Sequence, residues 1–211
     1  DEALLDLLPD SNRTPYDMYE VIRRIVDDGA YFDLKPQFAK TIITCLARFG
    51  GRPAGIVANQ PKQLGGILDN DSADKAARFI NLCHAFGIPL VYLMDVPGFM
   101  VGTKVEQAGI IRHGAKMLYA TANATVPKIT VVLRKAYGGA YIVMDSKAMG
   151  NDLCWAWPSA EVAVMGAQGA VQILHRRASP EVQLQLVSEY QAGHLNPYTA
   201  ADRGSVDLVI D

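Results

Sequence analysis

The chain is poor in the residues that build compact reactive centres. It has three cysteines, Cys45, Cys83 and Cys154, and four histidines, His84, His113, His175 and His194, all far apart in sequence. An odd, scattered set of cysteines excludes a disulfide framework or a thiolate zinc site and suits buried apolar thiols in a reducing compartment. That compartment is expected to be the cytoplasm or, in a eukaryote, the mitochondrial matrix. A surplus of one charge is missing as well: 20 Lys and Arg stand against 22 Asp and Glu, with no long run of either sign. Such a balance gives no electrostatic footprint for nucleic acid. No stretch of about 18 apolar residues is free of charge, so no segment reads as a membrane span. The opening Asp1 to Asp6 is acidic where a secretory leader is basic, and no leader is expected. The first residue is not methionine, and a fragment or a processed chain is expected. Nucleophile-elbow, zinc-helix, Walker and dinucleotide-binding glycine motifs are all absent, which removes the commonest hydrolase, metalloprotease and nucleotide sites.

What is present is a globular composition. Half of the 211 residues are hydrophobic and a fifth are charged. A chain of this length buries roughly 70% of its unfolded surface and can support its own core. Residues 1–13 are a lead-in without clear period. Thr14 is predicted to cap a helix, with Pro15 at its first position and Asp17 favouring its dipole; Val21, Ile22, Ile25 and Val26 form its apolar face and Gly29 ends it. Residues 40–49 and 54–59 read as strands about a Gly50-Gly51 turn. Residues 72–86 read as a helix capped by Asp71 or Ser72, with Ala76, Phe79, Ile80, Cys83 and Phe86 on one stripe. Residues 88–96 and 127–134 are apolar almost without alternation, the pattern of parallel strands buried on both faces. Helices are predicted over 105–123, from about Ala140, and over 167–177 and 180–192, with a short strand at 161–165. Strands alternating with helices from about residue 40 predict an α/β fold with right-handed crossovers.

Two places share one local design: an apolar strand, a glycine turn, then a helix. They are Asp95-Val96-Pro97-Gly98-Phe99 and Arg134-Lys135-Ala136-Tyr137-Gly138-Gly139-Ala140-Tyr141. Sites in open α/β sheets form at the carboxyl ends of strands. Glycine lets a ligand approach the backbone, and the first turn of a helix presents unpaired N–H groups. Together these make a hole for an oxygen that gains negative charge. The same glycines equally suit tight strand-to-helix packing, and spacing alone leaves both readings open. His84 and His175 read as packing or helix-end histidines. Arg112 and His113 are adjacent on a helix, so only one can face a given partner, and a structural or interface role is favoured for them.

Longer motifs carry a resemblance. Gly109-Ile-Ile-Arg-His-Gly-Ala-Lys-Met-Leu-Tyr119, Ala124-Thr-Val-Pro-Lys-Ile-Thr130 and Arg134-Lys-Ala-Tyr-Gly-Gly-Ala-Tyr141 closely resemble the carboxyltransferase (β) subunit of biotin-dependent acyl-CoA carboxylases of the acetyl- and propionyl-CoA type. So do Thr14-Pro-Tyr-Asp-Met18, Asp95-Val-Pro-Gly-Phe99, Trp157-Pro-Ser-Ala-Glu161 with its continuation to Gly166, and Ala201-Asp-Arg-Gly204. The motifs keep the family's order and span essentially all of residues 1–211.

The resemblance implies a crotonase-superfamily ββα-spiral domain. It further implies that residues 1–211 are the C-terminal, biotin-binding half, the acyl-CoA-binding N-terminal half being absent. The implied reaction is carboxyl transfer from carboxybiotin to the α-carbon of a short-chain acyl-CoA, with the biotin left behind acting as base. By position, the N–H groups of Gly139 and Ala140 would hold the biotin ureido oxygen. Gly98, Phe99, Gly138 and Tyr141 would line the biotin pocket, and Ile142 would bear on acyl-chain choice, a place where propionyl-type members often carry aspartate. Implied partners are the acyl-CoA, the N-terminal half, a biotin carboxylase or biotin carrier protein, and further copies of the chain. No metal is implied. A biotin-dependent decarboxylase acting on glutaconyl-CoA or methylmalonyl-CoA, and a non-catalytic biotin-binding or assembly module, are the competing expectations. Met100 to Gln107 departs from the family's usual Leu-Pro-Gly pattern, which leaves the substrate open.

Overall fold

The computed structural model describes Leu4 and residues 7–210, so the acidic reading of Asp1 to Asp6 falls, Leu4 apart, outside the described residues. One eight-stranded sheet organises the chain. Strands β1 (Tyr31–Asp33), β2 (Ile42–Phe49) and β3 (Arg52–Asn59) form an antiparallel meander. From β3 the sheet turns parallel through β4 (Leu90–Val96), β5 (Lys128–Tyr137), β6 (Leu153–Ala156) and β8 (Leu208–Val209). Strand β7 (Glu161–Ala163) pairs with β5 beyond the end of β6. One edge of β5 thus serves two short strands in succession.

Helices α1 (Met18–Ile25), α2 (Asn70–Ala85) and α4 (Ile110–Asn123) supply the flanking layers. Side chains alternate across the sheet as strand geometry requires. Ile42, Val57, Tyr92, Met94 and Val132 face a core shared with α2 and α4, while Ile43, Ile56, Leu93 and Leu133 pack with Met18, Val21 and Ile22 of α1. Both faces of β4 are therefore covered, which explains its unbroken apolar run. The remaining helices are α3 (Thr103–Gln107), α5 (Gly138–Val143), α6 (Ala167–Leu174), α7 (Pro180–Tyr190) and α8 (Pro197–Asp202).

Several boundaries differ from the sequence reading, each for a local reason. Helix α1 is capped by Asp17, not Thr14: the Asp17 carboxylate accepts from Tyr19 N at 3.1 Å and from Gln60 Nε2 at 2.7 Å, while the Thr14 carbonyl accepts from Arg134. Helix α2 is capped by Asp69 in a reciprocal capping box with Ser72, and Phe86 is 76% exposed instead of completing the stripe. The segment 105–123 is two helices, because Gly109 adopts a left-handed conformation between α3 and α4. Strands β1, β6 and β8 are too short, at 3, 4 and 2 residues, to announce themselves by period.

Buried charge is confined and paired. Lys75 donates to the carbonyls of Phe38 at 2.9 Å and Ile42 at 2.8 Å, which closes the chain reversal before β2. Lys128 lies 3.3 Å from Asp145 and donates to the Thr121 carbonyl at 3.0 Å. Among the described residues no helix is long and apolar enough to cross a membrane.

All three cysteines are buried and free. Burial pushes the thiols of Cys45 and Cys83 up to about 12 and that of Cys154 up to about 11. The thiolate is the reactive form, so none should react at neutral pH in the folded chain. Iodoacetamide at pH 7.5 should leave the native protein unlabelled and add three groups in urea; fast labelling of any one thiol in the native state would contradict this placement.

Candidate functional site

The site is built at the carboxyl ends of β4 and β5. Their register jumps from Met94↔Val132 to Val96↔Ala136, so the three residues Leu133 to Lys135 bulge opposite Asp95 alone. Bulges re-aim side chains and interrupt the ladder, and here the Asp95 side chain takes over its bonding. One carboxylate oxygen lies 3.0 Å from both Arg134 Nε and Arg134 Nη2. The other accepts the Lys135 backbone N–H at 3.1 Å and sits 3.4 Å from Lys135 Nζ. The Asp95 backbone N–H donates to Asn59 Oδ1 at 3.3 Å, and Asn59 in turn donates to the Gly66 carbonyl at 3.1 Å. A Cβ at Gly66 would lie 2.9 Å from the Asp95 carbonyl oxygen, so this close crossing of the loop requires glycine.

The same two cations tie down the lead-in. Arg134 donates to the carbonyls of Ser11 at 3.1 Å and Thr14 at 2.9 Å, Lys135 donates to that of Asn12 at 2.8 Å, and the Arg134 guanidinium lies 4.8 Å from the centre of the Tyr16 ring. Burial, more than its neighbours, lowers the Lys135 ammonium from its ordinary value. Tyr137 closes the arrangement by donating to Glu161, which also accepts from Asn12 and Gln191, each at 2.9 Å. Burial first, and the Glu161 carboxylate second, push the Tyr137 phenol far up, so it stays a donor.

Beyond Tyr137 the chain makes its turn. Gly138 has φ +60°, and a Cβ there would lie 3.1 Å from the Val164 carbonyl oxygen. Helix α5 then starts without a side-chain cap, so its first N–H groups are left to other partners. Gly139 is exposed and Ala140 fully buried. The turn opens into a cleft of about 510 Å³ lined by Gly138, Gly139, Tyr141, Ile142, Val162, Ala163 and Val164, with Tyr190, His194 and Arg203 on its remaining wall. Its volume lies within the usual range for small-ligand pockets, about 300–1,000 Å³. A larger cavity of about 1020 Å³ lies alongside, between the lead-in and Tyr137, Glu161 and Gln191. The hydrogen bonds among Asn12, Lys135, Tyr137 and Glu161 engage several of that cavity's polar groups, whereas the smaller cleft has exposed backbone at its wall.

The residues singled out by sequence fall into two groups. Gly138, Gly139, Tyr141 and Ile142 line the cleft, and buried Ala140 follows them in the same turn. Gly98 and Phe99 stand behind it. Gly98 has φ +147° and its carbonyl accepts from Leu68 N at 3.1 Å, while Phe99 packs between α4 and α5. A Cβ at Gly114 would lie 3.1 Å from the Phe99 ring, and one at Gly139 would lie 4.0 Å from it. Gly114 therefore makes room for Phe99. His113 turns away from the cleft, with Nδ1 2.9 Å from Asp74 of α2, in a contact that joins α2 to α4. Tyr190, His194 and Arg203 reach the cleft from α7, a π-helical turn and the end of α8, 50 or more residues after the glycine turn. Spacing carries no signal for that convergence; for Arg203 the one sequence trace is the Ala201-Asp-Arg-Gly204 motif.

A parallel sheet fed by an antiparallel meander, with a backbone-lined cleft at the strand ends, is the architecture of a crotonase-like domain. Within that class, the model of the carboxyl transferase domain family matches residues 1–211, and the chain belongs to that family. It is 53% identical to the propionyl-CoA carboxylase beta chain of Roseobacter denitrificans, over 99% of this chain and 42% of that protein. It is 52% identical to the methylmalonyl-CoA decarboxylase subunit alpha of Veillonella parvula, over 100% of this chain and 41% of that protein. The transcarboxylase 12S crystal structure with hydrolysed methylmalonyl-coenzyme A bound superposes with a TM-score of 0.97 at 51% identity, over 100% of this chain and 42% of that one. The chain thus spans about two fifths of the length of these relatives.

The two glycines of the turn should respond differently to alanine. Gly138→Ala meets both the left-handed conformation, worth about 1–2 kcal/mol, and the Val164 oxygen. Gly139→Ala meets nothing closer than the Phe99 ring at 4.0 Å. Urea denaturation should show Gly138→Ala destabilised by about 1–3 kcal/mol and Gly139→Ala by less than about 1 kcal/mol; equal losses would refute this geometry.

Proposed function

We propose that this chain supplies the biotin-binding half of a carboxyltransferase site, which moves a carboxyl group from biotin to the α-carbon of a short-chain acyl-CoA. The observation that carries the reading is the Gly138-Gly139 turn, with Gly139 exposed, at the wall of the cleft in a chain of this family. Residues 1–211 are, on this reading, the C-terminal half, which an acyl-CoA-binding N-terminal half would complete. The transcarboxylase 12S relative supports an assembly of several copies, since it forms a hexamer and binds substrate.

The cleft fits the bicyclic head of biotin in kind: Ile142, Val162, Ala163 and Val164 give it apolar walls beside two tyrosines, and backbone is offered at the glycine turn. When bound, biotin carries the transferable carboxyl group and supplies a basic ureido oxygen. The Gly139 and Ala140 N–H groups would hold that oxygen and would favour the form in which it is most negative. Backbone donors fixed in a helix turn need no reorganisation as charge develops, and one such donor is worth about 3–4 kcal/mol in enzymes where it has been removed. Tyr141, pushed up to about 12 by burial, remains a neutral phenol at the cleft wall. Ile142, half-buried there, presents an apolar surface to the acyl chain. The chain's own residues thus position and stabilise charge, and no side-chain base is required.

A second direction of use has specific support. Identity to the methylmalonyl-CoA decarboxylase subunit, at 52%, is close to the 53% shared with the carboxylase chain. A decarboxylase runs the same transfer from acyl thioester to biotin, and the same groups serve both directions.

Carboxyl transfer from carboxybiotin to propionyl-CoA should appear when the chain is mixed with a separately expressed N-terminal half of a relative, and neither part should be active alone. Activity of the chain alone would overturn the division of labour. Gly139→Val adds a branched side chain at the cleft wall, where its Cβ meets only the Phe99 ring at 4.0 Å. It should abolish transfer while leaving the thermal transition in place; full activity in that variant would refute the backbone hole. Ile142→Asp should change the ratio of rates on acetyl-, propionyl- and butyryl-CoA by about tenfold, and unchanged ratios would remove Ile142 from the acyl wall.

A further inference from the structure

The strand, glycine turn and helix that carry the Gly139 and Ala140 donors are closed at their base by a buried ion pair. Strand β5 begins at Lys128, and Asp145 lies just past the last residue of α5, Val143. The two side chains are 4% and 0% exposed and approach to 3.3 Å. The Thr130 hydroxyl donates to the Asp145 carbonyl at 2.8 Å, and Asn151 Nδ2 donates to the same carbonyl at 2.7 Å. Lys128 also reaches α4, donating to the Thr121 carbonyl at 3.0 Å, and the Thr121 hydroxyl returns to the Val143 carbonyl at 3.2 Å. The carboxyl end of α5 is thus tied to β5 and α4 together.

Each feature of Asp145 is unfavourable by itself. Its φ of +65° is left-handed, a conformation penalised in any residue with a side chain. An acid at the carboxyl end of a helix is opposed by the helix dipole. Burial raises its carboxyl from the ordinary value, and the neighbouring Lys128 opposes that rise. Glycine would suit the backbone here, and apolar groups in place of a buried ion pair are often as stable or more so. Stability alone therefore accounts poorly for the pair. Features of this kind persist where the surroundings over-determine them, and they cluster at functional sites. Helix α5 has six residues, too few to hold a direction without tertiary anchors. Resting on the proposed carboxyltransferase reading, we infer that Lys128 and Asp145 are positioning residues for the backbone hole. Their pair fixes the carboxyl end of α5, and through it the direction of the Gly139 and Ala140 N–H groups at the other end. Neither side chain touches the ligand, and no bond is made or broken at them.

The test uses the ¹⁵N-labelled 211-residue chain as wild type, Lys128→Met, Asp145→Asn and the double variant. Each single variant leaves one buried group without its partner and should lower the thermal midpoint. The double variant leaves no charge at the base of the unit and should recover the midpoint. A purely structural pair requires the site to recover with it. Positioning requires the opposite: in the ligand-free double variant the Gly139 and Ala140 amide resonances stay displaced, and free biotin binds about tenfold more weakly than to the wild type. Wild-type resonances or wild-type biotin affinity in the double variant overturns the inference, and so does a midpoint that fails to recover, which makes the pair a stability element. If no variant folds, hydrogen exchange of the wild type decides. The Met144 and Ser146 amides, which close α5 onto the Ala140 and Ile142 carbonyls, should exchange as slowly as those of β5. Exchange about a hundredfold faster than β5 shows an unanchored helix and overturns the inference. The amide displacement is read without biotin, so the two claims separate. A wild type that binds no biotin refutes the biotin-half reading, while displaced Gly139 and Ala140 resonances still uphold the hold of Lys128 and Asp145 on α5.

Discussion

The fold and the site both depend on one buried carboxylate. Asp95 and Arg134 are almost wholly shielded from water, with side chains 0% and 3% exposed. Taking two charges out of water is penalised by several kcal/mol each, and such a pair is tolerated only when its remaining donors and acceptors are satisfied. Here they are. Asp95 accepts from Arg134 and from the Lys135 backbone, and Arg134 directs its other donors to the Ser11 and Thr14 carbonyls. The pair holds the bulge in β5, anchors the lead-in and sets the direction in which the strand leaves the sheet. Three residues after Arg134 that strand becomes Tyr137, which is locked to Glu161, and then the glycine turn.

A backbone site imposes different demands from a side-chain site. Its donors cannot be moved by a rotamer, so every element around them has to be correct. Gly138 supplies a conformation that other residues adopt at a penalty, Gly114 opens a slot for Phe99, and Phe99 fills the space behind Gly139. In the proposed reaction the reactive base belongs to the ligand, and the protein contributes placement and a preorganised field.

Much of this was legible in sequence where one local rule dominated. The β4 and β5 runs are apolar on both faces because both faces are covered, and α2 carries a regular stripe bounded by Gly87 and Pro89. The glycine turn could be named as a candidate site because strand, glycine and helix follow without interruption. The misplacements came where a distant residue overrode a local preference. Thr14 has the chemistry of a cap, yet its carbonyl serves Arg134, and the cap passes to Asp17, which Gln60 also engages. Phe86 fits the stripe by spacing but lies past the end of α2, where the chain turns at Gly87 and leaves it in solvent. The far wall of the cleft was illegible for the same reason: Tyr190, His194 and Arg203 meet Ile142 only through the path of α7, the π-helical turn and α8.

The central claim is that the Gly139 and Ala140 backbone donors receive the ligand, and amide NMR of the ¹⁵N-labelled chain during a biotin titration tests it most directly. The largest shift changes are expected at the Gly139 and Ala140 N–H groups, with smaller ones at Tyr141 and Ile142. Saturable binding that moves amides elsewhere while Gly139 and Ala140 stay fixed would contradict the account.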